Sequence, residues 1–239
     1  MIYDRLIVLA IGFWMLIGSG CPAAATGHGN SNESEAGKYM TEVTESGAPA
    51  NDIRLEVRSA QTDDAVTLRY TVTNTSGGVI YLMDAFPAVD PQSREPYADN
   101  KGFYLCKRGE DAAMVLRGIP PLPIFPVAVR VMPLATRLEP GAKVEREFSI
   151  PVPMRERNDW YYPPVSIEEH TVGSVSKLNF AVQFIRESID GFQSAPVPYA
   201  PEYLNVSGTS TVKQAEMLTT ELPIRPVHLF IRKDIFTRI

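Results

Sequence analysis

The stretch AVTLRYTVTNTSGGVIYLMDA, residues 65–85, decides the fold. Val66, Leu68, Tyr70 and Val72 alternate with Thr67, Arg69, Thr71 and Thr73. Because successive side chains of a strand point to opposite faces, this pattern gives one face for a core and one for water. Asn74-Thr75-Ser76-Gly77-Gly78 follows, residues that favour tight turns, and VIYLMDA then resumes as a second strand. Just upstream, DIRLEVRSA (52–60) repeats the alternation, with Ile53, Leu55 and Val57 inward and Arg54, Glu56 and Arg58 outward.

Working outward, further strands are expected at GFYLCKR (102–108), AAMVLRG (112–118), VAVRVMPL (127–134), KVEREFSIPV (143–152), SKLNFAVQFIRES (176–188) and PVHLFIRKD (226–234). TVKQAEMLTTEL (211–222) is ambiguous, and its threonines favour a strand. No segment has the length and three-to-four spacing of an amphipathic helix. Twenty prolines spread along the 239 residues also suit strand edges and turns rather than helix interiors. An all-β antiparallel sandwich over residues 52–239 is the expected fold, with no internal boundary and no repeat. Long connections are expected at Phe86 to Gly102, Gly118 to Pro126 and Met154 to Ser174.

A hydrophobic fraction of 44% supports a sizeable core, and a net charge of −5 argues against a nucleic-acid binder. Of the two cysteines, Cys106 sits in an expected strand and reads as a buried thiol.

Cys21 reads differently. Leu6 to Ile17 (LIVLAIGFWMLI) is an apolar run of signal-peptide length, short of the roughly 20 residues that span a bilayer. Arg5 precedes it, offset by Asp4. The following Ile17-Gly18-Ser19-Gly20-Cys21 resembles the lipobox of bacterial lipoproteins, with Gly18 where leucine is usual. The resemblance implies removal of residues 1–20 as a signal peptide, acylation of Cys21, including a palmitoyl-type chain, and a cell-envelope address. With Pro22 rather than aspartate after the cysteine, it implies the periplasmic face of the outer membrane in a two-membrane cell. Ala23-Ala24-Ala25 offers the competing A-x-A site, which would discard Cys21 and release a soluble secreted protein; an uncleaved anchor is the third reading. Residues 21–51 are poor in large apolar side chains and are expected to form a disordered tether with a span of roughly 30 Å.

Two pieces of the body, LRYTVTNTSGGVIYL and LEPGAKVEREFSI, resemble strand-turn-strand units of immunoglobulin-like modules in bacterial envelope proteins and of the BsuPI-type proteinase-inhibitor domain. That resemblance implies an immunoglobulin-like sandwich and assigns no functional residue.

Catalytic signatures such as G-x-S-x-G, the P-loop or H-E-x-x-H are missing, and no cofactor is expected. Glu168, Glu169 and His170 are adjacent, which rarely lets three ligands converge on one metal; His170 reads as a loop residue. Asp84, Asp90 and Asp99 lack EF-hand spacing and read as turn formers. No metal site is expected.

The pointed feature is NDWYYPP, Asn158 to Pro164. Trp160, Tyr161 and Tyr162 are consecutive, so an extended chain cannot turn all of them into one core. Held by Pro163 and Pro164, they suit a rigid contact surface; the competing reading is that Trp160 and one tyrosine plug the sandwich end. The proline run Gly118 to Pro126 reads as a connector or a polyproline ligand. The function expected is non-catalytic: a lipid-tethered module binding an envelope protein or polysaccharide, or more narrowly a proteinase inhibitor. The alternative is an envelope hydrolase acting on cell-wall sugar or peptide with loop carboxylates.

Overall fold

The computed structural model describes residues 52–122, 131–158, 170–207 and 213–232, together with the backbone of 39–42. All of them fall within the unit Ala36–Ile239. They form an all-β, largely antiparallel, sandwich-like arrangement with no helix among the described residues.

The strands are β1 (Tyr39–Glu42), β2 (Ile53–Gln61), β3 (Ala65–Asn74), β4 (Ile80–Val89), β5 (Pro96–Asp99), β6 (Tyr104–Arg108), β7 (Ala112–Arg117), β8 (Leu134–Leu138), β9 (Lys143–Pro151), β10 (Met154–Arg155), β11 (His170–Arg186), β12 (Gln193–Val197), β13 (Ala200–Ser207) and β14 (Glu216–Arg232). A small sheet runs β1-β2-β3-β9 and a large one runs β10-β14-β11-β4-β8-β13-β12. β7 lies parallel to β11 and carries β6 on its other edge, while β5 pairs with β4. One side of β11 is therefore shared: Lys177–Val182 face β7 and Phe184–Arg186 face β4.

The period-two pattern meets its purpose between the sheets. Leu55, Val57, Leu68, Tyr70, Phe148 and Ile150 of the small sheet pack with residues such as Leu105, Val115, Phe180 and Leu229 of the large one. Full burial of each such aliphatic or aromatic side chain contributes about 1.5–3 kcal/mol. Cys106 is buried on the opposite face of the large sheet beside Met114, Leu116 and Ala181.

Several details differ from the sequence reading. Phe86–Gly102 is not one long connection, because β4 and β5 pair as a hairpin from Phe86↔Asp99 to Val89↔Pro96. Asp90 closes its turn by accepting the amides of Gln92 and Ser93, at 2.9 and 2.7 Å. Pro96 is tolerated there because, among the described residues, β5 pairs only with β4. His170 is not a loop residue; it opens β11, because β14 extends far enough to pair it with Arg232. In VAVRVMPL the described residues Val131–Pro133 lie outside any strand and β8 begins at Leu134, after a proline that has no amide to donate. Within the stretch expected to be tether, β1 pairs with the Arg58–Gln61 end of β2.

Candidate binding surface at the roots of residues 159–169

Cys21, Trp160, Tyr161 and Tyr162 lie outside the described residues, as do Glu168 and Glu169. Both chain ends that lead into residues 159–169 are described, and they are firmly held.

Met154 and Arg155 pair in parallel with Leu229 and Phe230 of β14. The next residue, Glu156, donates its amide to the Phe230 carbonyl at 2.9 Å. Arg157 then exchanges both backbone bonds with Leu105 of β6, at 2.8 and 3.0 Å. Residues 154–157 thus join the outer edge of β14 to the outer edge of β6 and close a ring of strands through β11 and β7. The alternation places Met154, Glu156 and Asn158 inward.

Glu156 acts as a clamp within this ring. Its Oε1 accepts the Lys107 amide at 2.7 Å and its Oε2 accepts the Arg232 amide at 2.8 Å. Two charge-assisted bonds to backbone N–H groups tie β6, the 154–158 segment and the end of β14 together. Around this clamp gather three more buried polar residues: Asn158 at 2% exposure, His170 at 8%, and Arg232. His170 pairs with Arg232 across the ladder and sets its ring edge-on to Phe230, centroids 6.4 Å apart. Residues 159–169 therefore follow Asn158 and precede His170, two buried positions on one ring of strands.

Beside that return, Val172 pairs with Phe230 across β11 and β14, and Val172 is 60% exposed. Val172 thus presents free apolar surface on the sheet two residues beyond His170.

A groove of about 530 Å³ opens where the β2–β3 turn meets β14; Gln61, Asp63, Pro153, Ser174, Arg225 and His228 are among its walls. The Gln61 amide accepts from the Arg225 N–H at 2.7 Å and donates to its carbonyl at 3.2 Å, linking the two sheets. This bond falls where the β11–β14 register shifts, between Val175↔Val227 and Lys177↔Pro223. Ser174 and His228 face each other across the strands. No group of three His, Cys, Asp or Glu side chains placed to hold a metal occurs among the described residues.

A second polar cluster, which the sequence reading missed, lies between the sheets. Asp84 is fully buried; its Oδ1 accepts from Thr136 Oγ1 at 2.6 Å, and its Oδ2 lies 2.8 Å from Arg146 Nε. Thr136 also accepts from Arg146 Nη2 at 3.1 Å. Arg117, fully buried, donates from Nη1 to the Asn100 carbonyl at 3.0 Å and sits over Tyr70 and Phe148, 5.9 and 5.4 Å from their centroids. Burial pushes the Asp84 carboxyl above the usual range, while Arg146 and Arg117 pull it back. Burial likewise raises the Tyr70 phenol. The signal was legible: Asp84 stands in phase with Ile80 and Leu82, Arg117 with Ala113 and Val115, and Arg146 with Val144 and Phe148. Of the aspartates read as turn formers, Asp90 and Asp99 accept turn amides, Asp99 from Lys101 at 2.9 Å, whereas Asp84 belongs to the core.

Comparison with protein-family models, curated proteins and solved structures returns no match.

Proposed function

We propose that this chain is a non-catalytic lipoprotein, held in the cell envelope by an acylated Cys21, whose β-sandwich binds another envelope component through the Trp160–Tyr162 segment. The observation that supports the binding part is how the residues flanking 159–169 are held. Both roots, Asn158 and His170, are buried in one ring of strands, and Glu156 clamps that ring through two backbone amides. Functional segments on β-sandwiches are loops set on rigid strand ends. Aromatic side chains bury much area at low entropy cost, which suits Trp160, Tyr161 and Tyr162 to a contact surface, and Val172 is an exposed apolar residue close to them in sequence.

The test is in-cell photo-cross-linking from position 172, comparing the wild type with Trp160→Ala/Tyr161→Ala/Tyr162→Ala. A discrete adduct lost in a triple variant of unchanged thermal midpoint supports the binding role. Adducts identical in both variants remove the aromatics from it, and no adduct in the wild type overturns the reading. For the anchor, Cys21→Ser should release the protein from membranes, and the mature wild-type N-terminus should carry acyl mass. A Cys21→Ser protein that stays membrane-bound contradicts the anchor.

A further inference from the structure

The interior cluster around Arg117 has a charge imbalance. Between the sheets lie two guanidiniums, Arg117 and Arg146, and one carboxylate, Asp84. Arginine cannot shed its proton in a protein, so neither cation can neutralise itself. Both Asp84 oxygens are engaged, one by Thr136 and one by Arg146, and Arg146 still reaches the surface with part of its side chain. Arg117 has no such outlet. Only its Nη1 finds an acceptor, the Asn100 carbonyl; Nε and Nη2 are buried without a hydrogen-bond partner. The Tyr70 hydroxyl, also fully buried, has no partner either. Unmet buried donors on a charged group forfeit their hydration without replacement, which makes this a demanding place to leave them.

What the cluster lacks is acceptor capacity and one negative charge. A water would supply lone pairs and could donate to the Tyr70 hydroxyl, but it carries no charge. A carboxylate-bearing or phosphate ligand is large for an interior between packed aromatic rings. A halide accepts from every direction, carries the missing charge and adds no hydrogens. We propose that the sandwich interior binds one chloride-class monovalent anion, held by Arg117 Nε and Nη2 and the Tyr70 hydroxyl.

The test uses the full chain. Thermal unfolding is followed at constant ionic strength while sodium gluconate is replaced stepwise by sodium chloride or bromide, so that general screening stays fixed. An anion that reaches ten times its dissociation constant raises the midpoint by about 3–6 °C in a chain of this size, and the rise continues with the logarithm of anion concentration. Arg117→Met should abolish the rise, and Tyr70→Phe, which keeps the ring, should reduce it. A midpoint indifferent to halide in the wild type, or an equal rise in Arg117→Met, overturns the proposal. Should Arg117→Met fail to fold, bromide-soaked wild-type crystals decide: anomalous signal beside Arg117 Nε supports the site, and its absence there rejects it.

Discussion

Arg146 Nε, on the small sheet, lies 2.8 Å from Oδ2 of Asp84, a fully buried carboxylate on the large sheet. The pair crosses the interior of the sandwich and shares Thr136. Removing one partner strands the other in a dry layer, so Asp84→Ala should cost about 3–5 kcal/mol in urea unfolding. Arg146→Ala should cost at least as much, because the partner it strands, Asp84, is fully buried, whereas Asp84→Ala strands an Arg146 that still reaches solvent. Substituting both with leucine should recover part of the loss.

The same carboxylate sets a pH dependence. Burial holds Asp84 above its unfolded value of 3.8, so the folded state binds this proton more tightly than the unfolded one. Its contribution is full below that value and is lost as the pH rises through the raised folded pKa. The stability of wild type relative to Asp84→Asn should therefore fall on going from pH 4 to 7. A flat or rising difference would contradict the assignment.

Arg186 shows the opposite sign. It grips Asp52 with Nη1 at 2.7 Å and Nη2 at 2.9 Å, and Glu216 with Nε at 2.6 Å. The hydrogen bond from Arg186 lowers the Asp52 carboxyl below 3.8, so the stabilisation is present above that value and lost as the pH falls through the folded pKa. Since Asp52 and Glu216 are well exposed, Asp52→Asn should cost only about 0.2–1 kcal/mol at pH 7 and progressively less as the pH falls below 3.8, with the difference shrinking in high salt.

Gly118 marks the point where β11 passes from β7 to β4. A Cβ there would fall 2.5 Å from Gln183 Oε1, the atom that accepts the Ile119 amide at 2.7 Å. Gly118→Ala should destabilise by about 1–3 kcal/mol through this overlap. Gly77→Ala, with nothing within 4 Å of its Cβ, is the matched control and should leave the unfolding midpoint within a degree or two.

Glu156 tests the anchoring of the loop roots. Glu156→Ala leaves the Lys107 and Arg232 amides without their acceptor, and their hydrogen exchange should accelerate more than tenfold; each lost charge-assisted bond is worth about 1.5–3 kcal/mol. Glu156→Gln, which keeps one acceptor oxygen, should release only one of the two amides. Unchanged protection at both amides in Glu156→Ala would remove the clamp from the account.

By itself, the sequence determined the all-β class and the inward faces, because period two in stretches such as Val66-Leu68-Tyr70-Val72 leaves a strand little freedom over which side to bury. It also carried the charged intruders Asp84, Arg117 and Arg146 in apolar phase, without saying that they would meet. Only the tertiary structure decided that, since they come from three strands and from both sheets. Pairing is equally non-local: β5 became a strand because β4 offered it an edge, and His170 because β14 ran on to Arg232. The clamp on Glu156 needs amides 49 and 76 residues away in the chain, a relationship that exists only once the ring of strands has closed.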